Sequence, residues 1–223
     1  MDSLNNSMLG FKNTFFERAL ADGLVWLPEI GMGFYPVKDT QAPYDAAYFE
    51  RYQRQADTPI GHALTAARLA LTGRYPVDEL IDVGIGCGQY VLARIKANGY
   101  TLGYDVNPAG IEWLSGINIY ADFYARQYEA ATFWDSLEHI ADPEAAVAQV
   151  ERYAFVSIPI FEDAEHCVKS KHFKRDEHIW YFTDRGIIAW FDAQGFDCVE
   201  INQMETDIGR EGIGTYVFKR RGT

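Results

Sequence analysis

An acidic residue and three alternating glycines, Asp82, Gly84, Gly86 and Gly88, form the stretch of this sequence best suited to bind a cofactor. They follow a short apolar segment and precede a segment of helical character. Glycine has no Cβ and tolerates positive φ, so such a turn lets the backbone approach a ligand closely. The first N–H groups of the following helix add a positive dipole end at the same place. The pattern predicts a cofactor-binding turn.

The spacing of these glycines argues against two common nucleotide-binding turns. The dinucleotide fingerprint G-x-G-x-x-G/A needs a small residue at its third position, where helix and strand pack closely. That position is Gln89 when counted from Gly84, and Val91 when counted from Gly86. The sequence also contains no G-x-x-x-x-G-K-[ST] phosphate loop. The turn therefore serves another kind of cofactor.

Further downstream, acidic residues close two more apolar segments, and a longer motif follows the second. Asp105 ends the segment Leu-Gly-Tyr-Asp, and Asp135 begins the run Asp-Ser-Leu-Glu-His-Ile-Ala-Asp-Pro that closes at Pro143. Together with the glycine turn, these motifs resemble the class I S-adenosylmethionine-dependent methyltransferases. The run from Asp135 resembles the subgroup that includes ubiquinone-biosynthesis-type O-methyltransferases. The similarity spans about Tyr44 to Arg220.

The resemblance implies S-adenosylmethionine as the cofactor and a set of cofactor-binding residues. That set is Asp82, Gly84, Gly86, Gly88, Asp105, Asp122 and Asp135. Asp82 would hold the methionine ammonium, directly or through water, and Asp105 would take the ribose hydroxyls. Asp122 would bind the adenine amine. Asp135 would face the methionine half of the cofactor or the substrate.

His139 is the predicted catalytic residue. Methyl transfer is an in-line displacement at a sulfonium, so the enzyme aligns the acceptor and removes its proton where it has one. An imidazole one turn after a strand end is suited to that proton transfer. A second interpretation stays open, in which Asp135, Glu138, His139 and either His172 or His178 hold a divalent cation. In the first interpretation, in which His139 is the base, we predict no metal ligands.

Strand-like and helix-like segments alternate through most of the chain, which is typical of a parallel sheet with helices on both faces. We predict an α/β, Rossmann-like, doubly wound and mostly parallel seven-stranded sheet whose last strand is antiparallel. The predicted strands are 80–83, 101–104, 117–120, 131–134, 153–158, 198–203 and 215–219. Residues 1–43 are expected to form an arm or small hairpin, and residues 44–223 the methyltransferase domain, with 44–75 as a helical cap.

Composition limits the partners and the compartment. The chain of 223 residues carries 20 basic and 32 acidic side chains, a net charge of −12, which disfavours nucleic acid as a partner. Its three widely spaced cysteines predict neither a disulfide framework nor a thiolate zinc site. We see no signal-peptide pattern and no apolar run of membrane-spanning length. A cytoplasmic location is expected.

These observations favour a methyltransferase that acts on a small-molecule acceptor, with oxygen as the acceptor atom implied by the resemblance. Two alternatives remain. One is a protein or nucleic-acid methyltransferase, although the sequence lacks an N/D-P-P-Y/F amino-methylating motif. The other is a non-catalytic subunit of the same fold that binds a partner through its N-terminal arm. The arm is also the predicted contact of a homodimer.

Overall fold

The computed structural model describes residues 18–19, 23–35 and 45–223. The described strands are β1 (Arg18–Ala19), β2 (Val25–Leu27), β3 (Met32–Phe34), β4 (Glu79–Val83), β5 (Tyr100–Tyr104), β6 (Tyr128–Trp134), β7 (Val150–Pro159), β8 (Trp180–Phe182), β9 (Phe196–Asn202) and β10 (Ile213–Arg220). The described helices are α1 (Ala46–Ala56), α2 (Pro59–Thr72), α3 (Gln89–Lys96), α4 (Pro108–Gly116), α5 (Pro143–Ala148), α6 (Ala164–Lys169), α7 (Asp184–Ala193) and α8 (Met204–Asp207). A 3₁₀ turn covers Leu137–His139.

Six strands form the central sheet in the order β5-β4-β6-β7-β10-β9. The pairs β4·β5, β4·β6 and β6·β7 are parallel, while β10 runs antiparallel to both β7 and β9. The predicted Rossmann-like class, mostly parallel with an antiparallel last strand, is confirmed. The carboxyl ends of the parallel strands meet at one edge, which is where open α/β sheets bind ligands.

The sheet has six strands rather than the predicted seven, because residues 117–120 do not form a strand. Only Tyr120 pairs with the sheet, through an isolated parallel bridge to Gly103. Asn118 has a φ of 57°, a left-handed conformation that interrupts extended backbone. The apolar residues of this segment indicated a strand, but the turn at Asn118 leaves β5 at the edge of the sheet.

Alternating side chains of the strands pack against helices on the two faces of the sheet. Ile81 and Phe133 belong to a buried cluster that includes Trp190 of α7. Leu80 and Trp134 belong to the opposite cluster, with Tyr90 of α3. This period of two is expected for strands covered on both faces. The two layers hold the strand ends in place and so fix the positions of the loops that follow them.

A smaller sheet, ordered β1-β2-β3-β8, lies beside the main one. β2 and β3 form an antiparallel hairpin, and β3 pairs with β8 through Gly33 and Tyr181. The described part of the N-terminal region is therefore joined to the later chain by backbone hydrogen bonds. Residues 1–17, 20–22 and 36–44 lie outside the described residues, and so does the predicted boundary near residue 43.

Candidate active site

The glycine turn connects β4 to α3 with three left-handed residues, φ being 80° at Gly84, 59° at Gly86 and 77° at Gly88. At Gly88 a Cβ atom would lie 2.3 Å from the Trp113 ring, so a side chain there is excluded by packing as well as by backbone conformation. At Gly86 it would meet Tyr52, 3.2 Å away. Gly84 and Gly86 line the cavity described below.

Asp82 is the penultimate residue of β4, next to this turn, and is 1% exposed. Thr132 of β6 donates its hydroxyl to Asp82 Oδ1 at 2.6 Å. Burial raises the pKa of Asp82 to about 7, and the Thr132 hydrogen bond opposes that rise. The carboxyl thus has one protein partner in the described chain and a second oxygen whose charge a cationic ligand group would stabilise.

Asp105 follows β5, the neighbouring strand, and is nearly as buried at 9% exposed. Its Oδ1 accepts the Asn107 N–H at 2.7 Å, and Asn107 also caps α4. Burial raises the pKa of Asp105, while hydrogen bonds from backbone N–H groups, including those of Asn107 and Ile85, oppose the rise. Because Asp82 and Asp105 end adjacent parallel strands, both carboxyls line the same cavity.

The structure separates Asp122 from this group. Its side chain is exposed, and its Oδ1 accepts the Tyr124 N–H at 3.0 Å in the loop before β6. The rings of Tyr104 and Tyr124 line the cavity near this loop, with centroids 5.8 Å apart, whereas Asp122 is not part of its wall. The adenine-binding role of Asp122 stays a prediction.

Asp135 ends β6 with a φ of 54°, a conformation that Asp tolerates better than most residues. Its carboxylate forms a bidentate pair with Arg210, at 2.7 and 2.9 Å, and contacts Arg68 at 3.2 Å. Burial alone would raise the pKa of Asp135, but these two guanidinium groups lower it to about 2. Asp135 is therefore a permanently charged part of the cavity wall, and its oxygens are occupied by the arginines.

Glu205 completes this network from α8. It is 0% exposed, accepts Arg68 Nε at 2.7 Å and also pairs with Arg210. Arg68 in turn lies over the Trp134 ring, with 4.9 Å between the guanidinium carbon and the ring centroid. The four side chains, which carry two positive and two negative charges, join α2 to the end of β6 and to α8.

His139 also lines the cavity and lies in the 3₁₀ turn after β6. Its Nδ1 is 2.8 Å from the Glu177 carbonyl oxygen, which can only accept, so Nδ1 carries the proton and Nε2 the lone pair. Burial lowers the pKa of His139, although the Glu177 carbonyl opposes that shift. The imidazole is thus neutral near pH 7, as a general base requires.

Glu138 and His178 lie beside His139. The two imidazole rings are 4.6 Å apart and nearly perpendicular. One ligand atom from each of the three side chains lies within 4.8 Å of the others. The second interpretation of the sequence is changed in two places: Asp135 is bound by arginines, and His172 Nε2 lies 2.9 Å from the Glu211 carbonyl oxygen. Of the predicted set, Glu138, His139 and His178 come together.

Most of these groups border one cavity of about 1410 Å³. Its lining includes Asp82, Gly84 and Asp105 as well as Glu138 and His178. Tyr48 and Tyr52 of α1 also line it, with their hydroxyl oxygens 3.0 Å apart. Two tyrosines that are one helical turn apart on α1 therefore face the cavity.

The sequence profile of a family described as a methyltransferase domain matches residues 48–201, which is more than half of the chain. This chain belongs to the methyltransferase-domain family. The match confirms the predicted class I S-adenosylmethionine-dependent methyltransferase, while the ubiquinone-type subgroup stays a prediction. No protein of curated function matches the chain.

Solved structures of methyltransferases share the fold at low sequence identity. A chain of the complex between the Haloferax volcanii Trm112 methyltransferase activator and a methyltransferase has a TM-score of 0.59 at 15% identity, covering 78% of this chain and 94% of that one. Magnesium protoporphyrin IX methyltransferase from Synechocystis PCC 6803, with bound S-adenosylmethionine, has a TM-score of 0.56 at 15% identity, covering 79% and 93%. A methyltransferase from Archaeoglobus fulgidus has a TM-score of 0.56 at 12% identity, covering 78% and 100%.

Sequence reasoning missed several side chains of this methyltransferase's cavity. Arg68 lies in an otherwise apolar helix, and Glu205 and Arg210 lie between the last two strands, outside every motif of the sequence. Arg68 and Glu205 are 137 positions apart, so no local spacing could have paired them. The one available signal was a charged residue within the otherwise apolar stretch of α2.

Asp82 gives this methyltransferase a testable pH dependence. Cofactor binding would place a cationic ammonium near a carboxyl whose pKa is about 7, so the ionised form binds better. Affinity for S-adenosylmethionine is therefore expected to rise, by up to about tenfold, from about pH 6 to pH 8, with proton release on binding. Calorimetry in two buffers of different ionisation enthalpy measures both effects. Asp82→Asn should flatten the profile, and an unchanged slope in that variant would contradict the assignment.

Proposed function

We propose that this methyltransferase transfers the methyl group of S-adenosylmethionine to an oxygen atom of a small-molecule acceptor. The observation that carries the proposal is one continuous cavity that is lined by Asp82, Asp105 and His139 together. Its volume of about 1410 Å³ exceeds the range of about 300–1000 Å³ that holds a single drug-sized ligand. There is room for the cofactor and a small acceptor together.

The residues support a direct displacement. The acceptor oxygen forms a bond to the methyl carbon while the sulfur–carbon bond breaks, and the electron pair of that bond stays on sulfur. The acceptor's proton leaves to a base, for which neutral His139 is the candidate. Asp82 binds the amino-acid portion of the cofactor, and Asp105 binds its ribose. The glycine turn lets the protein backbone approach the cofactor closely.

Calorimetry with S-adenosylmethionine and with its demethylated product tests the cofactor part of the proposal. Both are expected to bind, because they share the amino-acid and ribose groups that the two carboxylates recognise. A metabolite extract incubated with enzyme and cofactor should then yield a small molecule that has gained one methyl group on oxygen. If neither cofactor form binds, the proposal fails. If only polypeptides are methylated, the protein methyltransferase alternative is correct.

The location and the assembly state belong to the same proposal. The described part of the chain contains no helix that is long and apolar enough to cross a bilayer. The excess of acidic side chains supports a partner other than nucleic acid. A cytoplasmic location and a homodimer through the N-terminal arm remain predictions. Light scattering of the full chain and of a chain lacking residues 1–17 would test the dimer.

A further inference from the structure

We propose that Glu138, His139 and His178 bind one divalent transition-metal ion at the acceptor end of the cavity. This inference rests on the proposed function for its role, because the ion would hold the acceptor oxygen. The site itself is inferred from the geometry and burial of these three side chains. His139 is the candidate base in the proposed function; with the ion bound, its Nε2 would instead be a ligand, and the acceptor's proton would leave to solvent.

Unpartnered buried oxygens are the first observation. Glu138 is 1% exposed, and neither of its carboxylate oxygens has a hydrogen-bond partner in the described part of the chain. His178 is 5% exposed, and its Nδ1 is likewise without a partner among those residues. Buried polar atoms are almost always satisfied, and an unpaired buried carboxylate costs several kcal/mol in effective terms. A cation between Glu138 and His178 would satisfy both.

Backbone hydrogen bonds hold the three side chains together from two distant parts of the sequence. The Ile179 N–H donates to the Glu138 carbonyl at 2.8 Å, which places His178 beside the 3₁₀ turn. Trp180 Nε1 donates to the Ile140 carbonyl at 2.8 Å, just beyond that turn. The approach of His178 to Glu138 is therefore built into the packing of β8 against the turn.

The orientation of His139 suits a metal ligand. Its Nδ1–H donates to the Glu177 carbonyl, so the lone pair is on Nε2. Metal-binding histidines commonly donate their second ring N–H to a carbonyl or carboxylate in this way, which fixes the tautomer and the ring.

The donor set indicates the kind of ion. Two imidazole nitrogens and one carboxylate suit first-row divalent ions such as Mn²⁺, Fe²⁺, Co²⁺ or Zn²⁺, and in an octahedral arrangement they leave positions open. One ligand atom from each side chain lies within 4.8 Å of the others, which is comparable with twice a ligand distance of about 2.1 Å from one ion. The three side chains line the cavity, so an ion held by them would be accessible to an acceptor.

The charges around the cluster decide what can neutralise Glu138. Arg210 and Lys174 are the cations whose charges act on Glu138, and they are paired with other carboxylates, those of Asp135 and Glu177. The carboxylate of Glu138 is therefore left to be neutralised either by a proton or by a bound cation. These two states predict different behaviour in a binding experiment.

Direct binding of Mn²⁺ to chelator-treated full-length protein tests the site without relying on activity. Electron paramagnetic resonance measures free Mn²⁺, and the expected result is one ion bound per chain. Glu138→Gln and His178→Gln should each weaken binding by at least about tenfold, the effect seen even for residues that only support metal ligands. His172→Gln is the matched control, since His172 borders the cavity outside the cluster, and its Mn²⁺ affinity should not change.

Stoichiometric binding that survives in Glu138→Gln, or the absence of binding in the wild type, would overturn the proposal and leave Glu138 as a neutral, protonated acid. Titration of S-adenosylmethionine into the same metal-free samples separates this outcome from failure of the proposed function. The cofactor should bind the metal-free wild type and Glu138→Gln equally well. If no sample binds the cofactor, the methyl-transfer proposal fails, and the Mn²⁺ result still decides the metal site.

Discussion

Replacement of Arg68 by Met is expected to lower the free energy of unfolding of this methyltransferase by about 3–5 kcal/mol. Arg68 contacts both Glu205, which is 0% exposed, and Asp135. Its loss leaves two carboxylates to share the guanidinium of Arg210 inside the protein. Removing one partner of a buried charged network destabilises the protein strongly, because the remaining charge stays desolvated without compensation. This cost is far larger than the stability difference between the intact network and apolar side chains in its place.

Urea unfolding of three variants measures this effect. The double variant Arg68→Met/Glu205→Met removes one charge of each sign and should recover a large part of the lost stability. Arg74→Met is the control, because it removes the partner of Glu200 from a pair in which the arginine side chain is 56% exposed. That change should cost about 1 kcal/mol or less. A cost for Arg68→Met no larger than for Arg74→Met would contradict a buried network.

The parts of the fold that depend on local pattern could be predicted from the sequence. A few neighbouring residues are enough to indicate the glycine turn, the apolar strand before it and the alternation of strands with helices. α2 and α7 depend on local signals as well, since Thr58 and Thr183 cap them and their apolar faces repeat with helical period. Asp82 and Asp105 came together as expected, because adjacent parallel strands end at the same edge.

Features that depend on distant contacts could not be predicted. The sequence of residues 117–120 is apolar enough for a strand, and only the left-handed turn at Asn118 shows why it is not one. Nothing near Asp135 indicated that its charge would be matched by Arg210, 75 positions away. His178 was one of two histidines considered for a cation, and the backbone bond from Ile179 to Glu138 selects it. Tertiary packing determines these features.

The two predicted cofactor acids at the nucleoside end, Asp105 and Asp122, now differ in physical setting. Asp105 is buried, lines the cavity and is held by the Asn107 N–H, whereas Asp122 is exposed and closes its own loop. A hydrogen bond made in a buried place to a charged group stabilises a ligand more than one made in water. The contribution to cofactor binding should therefore come mainly from Asp105.

Asp105→Asn is expected to weaken S-adenosylmethionine binding by about 10–100-fold, since charge-assisted hydrogen bonds contribute about 1.5–3 kcal/mol and about 1.4 kcal/mol corresponds to tenfold. The amide oxygen can still accept the Asn107 N–H, so the turn before α4 should keep its conformation. The amide nitrogen, however, cannot accept a hydrogen bond from a ribose hydroxyl. Calorimetry of the variant with cofactor measures the loss, and its thermal unfolding checks that the fold is retained.

Asp122→Asn is the matched control for Asp105→Asn, because it removes the same charge from an exposed loop. Its cofactor affinity should stay within about threefold of the wild type, a difference of less than about 1 kcal/mol. A large loss of cofactor affinity in Asp122→Asn, with none in Asp105→Asn, would place the nucleoside against Asp122 instead of Asp105. Equal losses would mean that net charge, rather than a carboxylate directed at the ribose, governs binding. Only a loss confined to Asp105→Asn is consistent with the cavity geometry.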